Sequence, residues 1–243
     1  MRFIYRCFFV TSHLVWQLAL ALSLGLVFSS AQAARPMITD DAEIVDAKAC
    51  QLESWIQSNR GSTEYWALPA CNPTGNVELT LGGARLHSSS GPHFRVAVFQ
   101  GKTVLKALEA NGWGLALSVG TAKQRPAGGS AREWYVNAPA SFSFRNDSLL
   151  LHTNLGWLRD PDTQAHRLTW GLGSTTQLTE RSWLIAESFG QNRGKPLYQV
   201  GVRHWVVPDR VQIDMTYGDR FGAHSQERWF SIGLRILSAP FLP

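Results

Sequence analysis

From Ala49 onward, apolar residues recur at every second position. Val211, Ile213, Met215 and Tyr217 alternate with Gln212, Asp214 and Thr216, and Phe230, Ile232, Leu234 and Ile236 alternate with Trp229, Ser231, Gly233 and Arg235. Leu115, Leu117 and Val119 alternate in the same way with Gly114, Ala116, Ser118 and Gly120. A period of two places successive side chains on opposite faces of a β-strand. Each segment therefore has one oily face and one small or polar face. The pattern predicts strands over 50–58, 63–70, 76–86, 93–106, 112–122, 133–143, 148–158, 166–178, 182–190, 197–207, 211–218 and 227–237. Turn chemistry separates them, as at Arg60-Gly61, Asn72-Pro73-Thr74-Gly75, Asn111-Gly112, Asn146-Asp147 and Pro208-Asp209-Arg210.

The links themselves alternate. After the fourth strand, tight links at 111–112, 145–147, 179–181 and 208–210 take turns with longer ones at 123–132, 159–165, 191–196 and 219–226. Outer-membrane β-barrels show this rhythm, with short periplasmic turns and longer outer loops. A water-soluble two-sheet sandwich also alternates, but its wet face carries Lys, Glu and Asp freely. Here the face opposite the apolar one is rich in Gly, Ser, Thr and Ala, and only 17% of the chain is charged. The expected fold is all-β: a transmembrane, antiparallel up-and-down barrel of about 12 strands.

The first residues read as an export signal. Arg2 and Arg6 precede an apolar run from Leu14 to Phe28, and Ala31-Gln32-Ala33 supplies a small-x-small cleavage site. The expected organisation is a signal peptide over 1–33, an acidic periplasmic segment over 34–48 and the barrel over 49–243. Loss of Arg2 and Arg6 lowers the formal charge from +5 to +3, too little to suggest nucleic acid. Beyond the signal, no apolar run reaches about 18 residues, so no second spanning helix is expected.

Cys7 leaves with the signal, and Cys50 and Cys71 remain. If Arg60-Gly61 is a two-residue turn, paired positions sum to 121. Cys50 then lies directly opposite Cys71, and Trp55 opposite Trp66. A non-hydrogen-bonded pair of this kind brings Cα atoms to about 4.5 Å, which permits a disulfide in an oxidising compartment.

The stretch Arg35-Pro36-Met37-Ile38-Thr39-Asp40-Asp41-Ala42, followed by Gln51-Leu52-Glu53, resembles a family of bacterial outer-membrane proteins. These are labelled as components of a meta-cleavage phenol-degradation pathway and treated as transporter-like. Tyr198 to Asp214 resembles the same family. The resemblance implies a β-barrel and brings no catalytic residues. One departure is the C-terminal end: many such barrels close on an aromatic residue read by the insertion machinery, whereas here Ser238 to Pro243 follows, with Pro240 and Pro243 unable to extend a ladder.

Charge facing lipid near the midplane costs about 2–4 kcal/mol, so charged and strongly polar strand residues should point inward. Alternation assigns Glu53, Glu78, Thr80, Arg95, His152, Asn154, Arg167, Thr169, Gln199, Arg203, Gln212, Asp214, Thr216 and Arg235 to the lumen. These could form a salt-bridged filling or a solute path. Asp40, Asp41, Glu43 and Asp46, in a stretch without Lys or Arg, suggest a plug that enters the periplasmic mouth and pairs with Arg203, Arg235 or Arg167. Trp113, Trp134, Trp157, Trp170, Trp183, Tyr198, Tyr217 and Phe230 fit an interfacial girdle, while Trp55, Trp66, Trp205 and Trp229 have inward parity.

Lys123, Arg125, Arg132, Arg159, Arg193, Lys195 and Arg220 in the longer loops suit contact with lipopolysaccharide phosphates. His204 shares parity with Val200 and Val202 and has no obvious serine beside it, so an enzyme is not expected. His87 and His93 flank a loop without a third ligand, and neither a cofactor nor a metal is expected. The function that fits is a monomeric passive uptake channel for small solutes, hydrophobic or aromatic ones included. The alternatives are an envelope-interaction barrel with a sealed lumen and, further off, an outer-membrane hydrolase.

Overall fold

The computed structural model describes residues 36–89, 93–125, 131–160, 163–222 and 227–243. The expected signal peptide lies outside them. Twelve strands follow in chain order: β1 (Cys50–Asn59), β2 (Ser62–Cys71), β3 (Val77–Ser88), β4 (Phe94–Lys106), β5 (Trp113–Arg125), β6 (Ala131–Phe144), β7 (Leu149–Arg159), β8 (His166–Thr179), β9 (Ser182–Gln191), β10 (Leu197–Val207), β11 (Val211–Arg220) and β12 (Trp229–Leu237). Their ends differ from the expected ones by at most three residues.

Each strand pairs antiparallel with the next, and β1 pairs with β12 from Gln51↔Leu237 to Asn59↔Trp229. The sheet is a closed barrel with no free edge, the condition for placing strands in lipid. Links 72–76, 107–112, 145–148, 180–181 and 208–210 gather at one end, the periplasmic one, and of these 107–112 is longer than the tight link expected at 111–112. Links 160–165, 192–196 and 221–228 gather at the other, where only Arg60-Gly61 is short. Gly61 takes φ 84° there, and Asp209 φ 53° in the β10–β11 turn.

The outer face is oily. Leu81, Phe99, Leu155, Leu172, Val200 and Ile232 stand exposed on it. In water such a continuous belt would be a severe cost. In a bilayer it is solvated. Trp134, Trp157, Trp170, Tyr217 and Phe230 lie exposed towards the outer ends of their strands, and Trp113, Phe142 and Phe144 at the periplasmic ends. Trp183 departs from the expected girdle: it is buried, sharing the inward parity of Ile185 and Glu187 on β9.

The first hairpin has the predicted register, with Cys50↔Cys71 and Trp55↔Trp66. A disulfide joins Cys50 to Cys71, whose Cα atoms are 4.0 Å apart. The indoles of Trp55 and Trp66 stack at 5.1 Å inside the barrel. After Leu237 the chain leaves the ladder and folds back at the periplasmic end, where Phe241 N and Leu242 N both donate to Lys48 O.

Candidate functional site: the lumen and its N-terminal strap

Twelve strands enclose more space than the side-chain-filled eight-strand barrels. Residues 36–49 occupy much of it. Met37, Thr39, Asp41, Ala42, Val45 and Ala49 are all buried, although none belongs to a strand. An extended segment brings unpaired backbone N–H groups into the interior, and each must find an acceptor. Wall side chains supply them. Glu187 on β9 accepts from Ile38 N (2.9 Å) and Thr39 N (2.7 Å). Gln199 on β10 donates to Pro36 O (2.8 Å) and to Glu187 (2.9 Å). Asn154 on β7 holds the Asp40 peptide at both ends. Ser141 on β6 accepts from Ala42 N (2.9 Å) and contacts His152 Nδ1 (2.8 Å). Glu78 on β3 accepts from Val45 N (3.0 Å). Asn72 then pins the exit, donating to Val45 O from Nδ2 (2.8 Å) while its carbonyl accepts from Lys48 N.

Glycines make room for this strap. A Cβ on Gly173 would lie 2.1 Å from Met37 Cε, and one on Gly171 would lie 2.7 Å from Thr39 Oγ1. These two positions on β8 are inward-facing and side-chain-free where the strap crosses them.

Charge is balanced locally. Lys102 Nζ on β4 contacts Asp40 Oδ1 at 2.8 Å and Asp41 Oδ1 at 3.1 Å, with Lys102 and Asp41 each only 5% exposed. Burial raises the Asp40 carboxyl above its usual range, a push that Lys102 opposes and Asp41 adds to. Glu43 is raised well above its usual range, first by burial and then by Asp41, against the pull of Lys102, Arg203 and Arg235. Its Oε2 is buried without a hydrogen-bond partner, the environment of a neutral carboxyl.

Of the residues assigned to the lumen from sequence, Glu53, Glu78, His152, Asn154, Arg167, Gln199, Arg203, Asp214 and Arg235 have inward parity, as do Thr80, Thr169, Gln212 and Thr216. Arg203 and Asp214 are register partners, and so are Glu53 and Arg235, whose N···O distance is 3.8 Å. Arg95 is a correction. It shares the parity of outward-facing Phe99 and is exposed, opposite Arg85 near the outer end of the barrel. Acidic residues of the strap lie inside the barrel at Asp40, Asp41 and Glu43, while Asp46 is exposed near the mouth. The ion pairs they make are with Lys102, which the sequence reading passed over along with Glu187, Ser141 and Asn72.

The lumen is divided unequally. Towards β9–β12 the periplasmic end is packed solid by Val45, Ala49, Trp183, Trp205 and Leu237. Beside the strap, two cavities lie among the described residues. One, of about 570 Å³, is an open cup whose floor includes Ile38 and Asp40 and whose walls include Trp55, Leu158, Phe189 and Glu133. The other, of about 140 Å³, lies among Asp41, Glu43, Glu78, Lys102 and Arg235.

On the outer wall, Ser182 Oγ lies 2.9 Å from His204 Nδ1, so a serine does sit beside His204, contrary to expectation. The pair is at the periplasmic end of β9–β10, and His204 Nε2 has no orienting partner among the described residues. A nucleophilic serine needs that third group. Among the described residues, no three His, Cys, Asp or Glu side chains gather as a metal site.

A closed twelve-stranded barrel, oily outside and polar within, is an outer-membrane β-barrel. Within that class, the chain belongs to the family described as "Uncharacterised conserved protein UCP029691", whose pattern matches residues 21–237. The fold is similar to that of the KdgM porin (TM-score 0.55, 8% identity, covering 76% of this chain and 98% of that one). A second structure of that porin is in complex with disordered oligogalacturonate. The NanC porin is similar too (TM-score 0.53, 8% identity, 77% and 98% covered). At such identities the likeness is one of fold. No curated protein sequence matches. Neither the family description nor these barrels names a phenol-degradation pathway.

Proposed function

We propose that this protein is a passive channel of the outer membrane for small solutes, held narrow by residues 36–49 lying in its lumen. In this reading residues 1–33 are a removed export signal, 34–48 a plug and 49–243 the barrel. The observation that carries it is the manner in which the lumen is occupied. A barrel built only as a structural element could fill itself with wall side chains. Here a separate segment is strapped in by side chain-to-backbone hydrogen bonds from β3, β6, β7, β9 and β10, and solvent-sized space is left beside it. The mix of Trp55, Leu158 and Phe189 with amide and hydroxyl groups in the cup supports solutes that present an apolar face.

Planar-bilayer recording tests this. The full mature protein should show small conductance steps, and a variant lacking residues 35–47 larger ones. If neither gives steps, the barrel is sealed and the channel reading falls. The incomplete Ser182–His204 pair supports a non-enzymatic protein, and an acyl-ester hydrolysis assay on the same preparation should read background. Outward-facing Arg132 and Arg159, with Arg193 and Lys195 in the β9–β10 link, support contact with lipopolysaccharide.

A further inference from the structure

The cup and the smaller cavity beneath it share Asp40, Glu53, Leu68, Gln100 and Tyr135 as lining residues. Between them Tyr135 Oη donates to Gln100 Oε1 at 2.9 Å, linking β6 to β4 across the intervening β5. The ring of Tyr135 rests on Gly120, its register partner on β5. A Cβ at Gly120 would lie 2.3 Å from Tyr135 Cζ. Any side chain there would lift the ring off β5, so glycine at 120 is what lets the tyrosine lie flat against the inner wall. Nothing in the strap's own seating requires this. The strap is held by Glu187, Gln199, Asn154, Ser141, Glu78 and Lys102, and the Tyr135–Gln100 pair lines the gap left beside it.

The lining is also one-sided in charge. The cup presents Asp40, Glu53 and Glu133 and neither Lys nor Arg. The lower cavity adds Asp41 and Glu78 against Lys102 and Arg235. In a narrow lumen with low-dielectric walls such a surplus is focused onto whatever passes.

We infer that a solute path runs beside the seated strap, past the ring of Tyr135 on the β4–β6 wall, and that this path admits neutral and cationic solutes in preference to anions. The inference rests on the channel reading of the same lumen and adds where the solute goes and what charge it carries. An oligoanion of the kind held by the KdgM porin would meet repulsion from the cup onward.

The test uses full-length mature protein in planar bilayers under a potassium chloride gradient, with heat-modifiable gel mobility as the folding check. Tyr135→Ala, which removes the ring from the wall of the path, should raise single-channel conductance several-fold with the strap intact. Gly120→Ala, which lifts the ring off the wall into the path, should lower it. The reversal potential should lie on the potassium side, and Glu133→Gln with Glu53→Gln should shift it towards zero. If these variants conduct like the parent while deletion of 35–47 opens the barrel, the path requires ejection of the strap; the inference falls and the channel reading stands. If no variant conducts, both fall. A chloride-side reversal potential overturns the charge assignment.

Discussion

Asn154 clasps the peptide of Asp40 with both ends of its amide. Asp40 N donates to Oδ1 at 2.8 Å, and Nδ2 donates to Asp40 O at 2.7 Å. This is the pairing a neighbouring strand would offer, reproduced by one side chain at a place where no strand can reach. Asn137 Nδ2 donates to the same Oδ1 at 3.0 Å and fixes which way the amide faces. Asn154→Asp keeps the size but replaces the donor with a carboxylate, which meets Asp40 O and adds negative charge beside Asp40. It should loosen the strap more than Asn154→Ala, which forfeits two hydrogen bonds worth about 1–3 kcal/mol together. Hydrogen exchange of the N-terminal peptide in detergent reads the difference. Equal protection in parent and both variants would show that the clasp contributes nothing.

Lys102 is a buried cation whose ion-pairing carboxylates, Asp40 and Asp41, lie on the strap, with Glu78, its register partner on β3, the third carboxylate beside it. Removing one side of a buried pair strands the other, at about 3–5 kcal/mol. Lys102→Met should therefore free the strap, and Asp40→Asn with Asp41→Asn should do likewise. The triple variant should recover part of the loss, because the Lys102–strap pair is removed from both sides and Glu78 alone is left facing the site. Exchange protection across residues 39–45, arranged as a double-mutant cycle, checks this. Additive losses would mean the pair carries no coupling.

The barrel was legible because closure in lipid demands a period of two in every strand, and the first hairpin because a two-residue turn fixes register for its whole length. Where strands are apolar on both faces, the signal fails. On β4, Val96 and Val98 face inward while Ala97 and Phe99 face outward, so apolarity does not choose a face. Taking Arg95 as inward puts Lys102 outward, since a one-residue slip flips the entire strand. The same ambiguity hides Trp183 beside Leu184 on β9. The strap's charge could be seen in the sequence, but its seat could not. Glu187, Ser141 and Asn154 come from three strands, and only the closed barrel brings their polar atoms to one extended peptide.

Gly173 gives a way to unseat the strap without replacing any side chain that hydrogen-bonds it. Its missing side chain is the space that Met37 Cε fills. Met37 is flexible, so Gly173→Ala should be absorbed with little change. Gly173→Leu should occupy the seat outright, displacing residues 36–39 and raising conductance towards that of the strap-deleted protein. Thermal stability of the barrel should move far less than conductance, since β8 keeps its ladder. A leucine variant that conducts like the parent would show that Met37 does not hold the strap.

Glu43 makes the seating pH-dependent, and the sign follows from its environment. Its carboxyl is raised well above the usual range by burial and by Asp41, against Lys102, Arg203 and Arg235, with Oε2 unpartnered. Asp40 is raised as well. When the strap leaves the lumen, both carboxyls return to about 4. The seated state thus binds protons more tightly than the released one. Seating is strongest where these groups are protonated in both states, and it weakens as pH climbs from about 4 through their raised values. Open probability should accordingly be greater at about pH 8 than at about pH 5. Glu43→Gln, neutral throughout, should keep the strap seated at the higher pH and flatten most of the dependence, leaving the share due to Asp40. A Glu43→Gln channel with an unaltered pH profile would place the titrating group elsewhere.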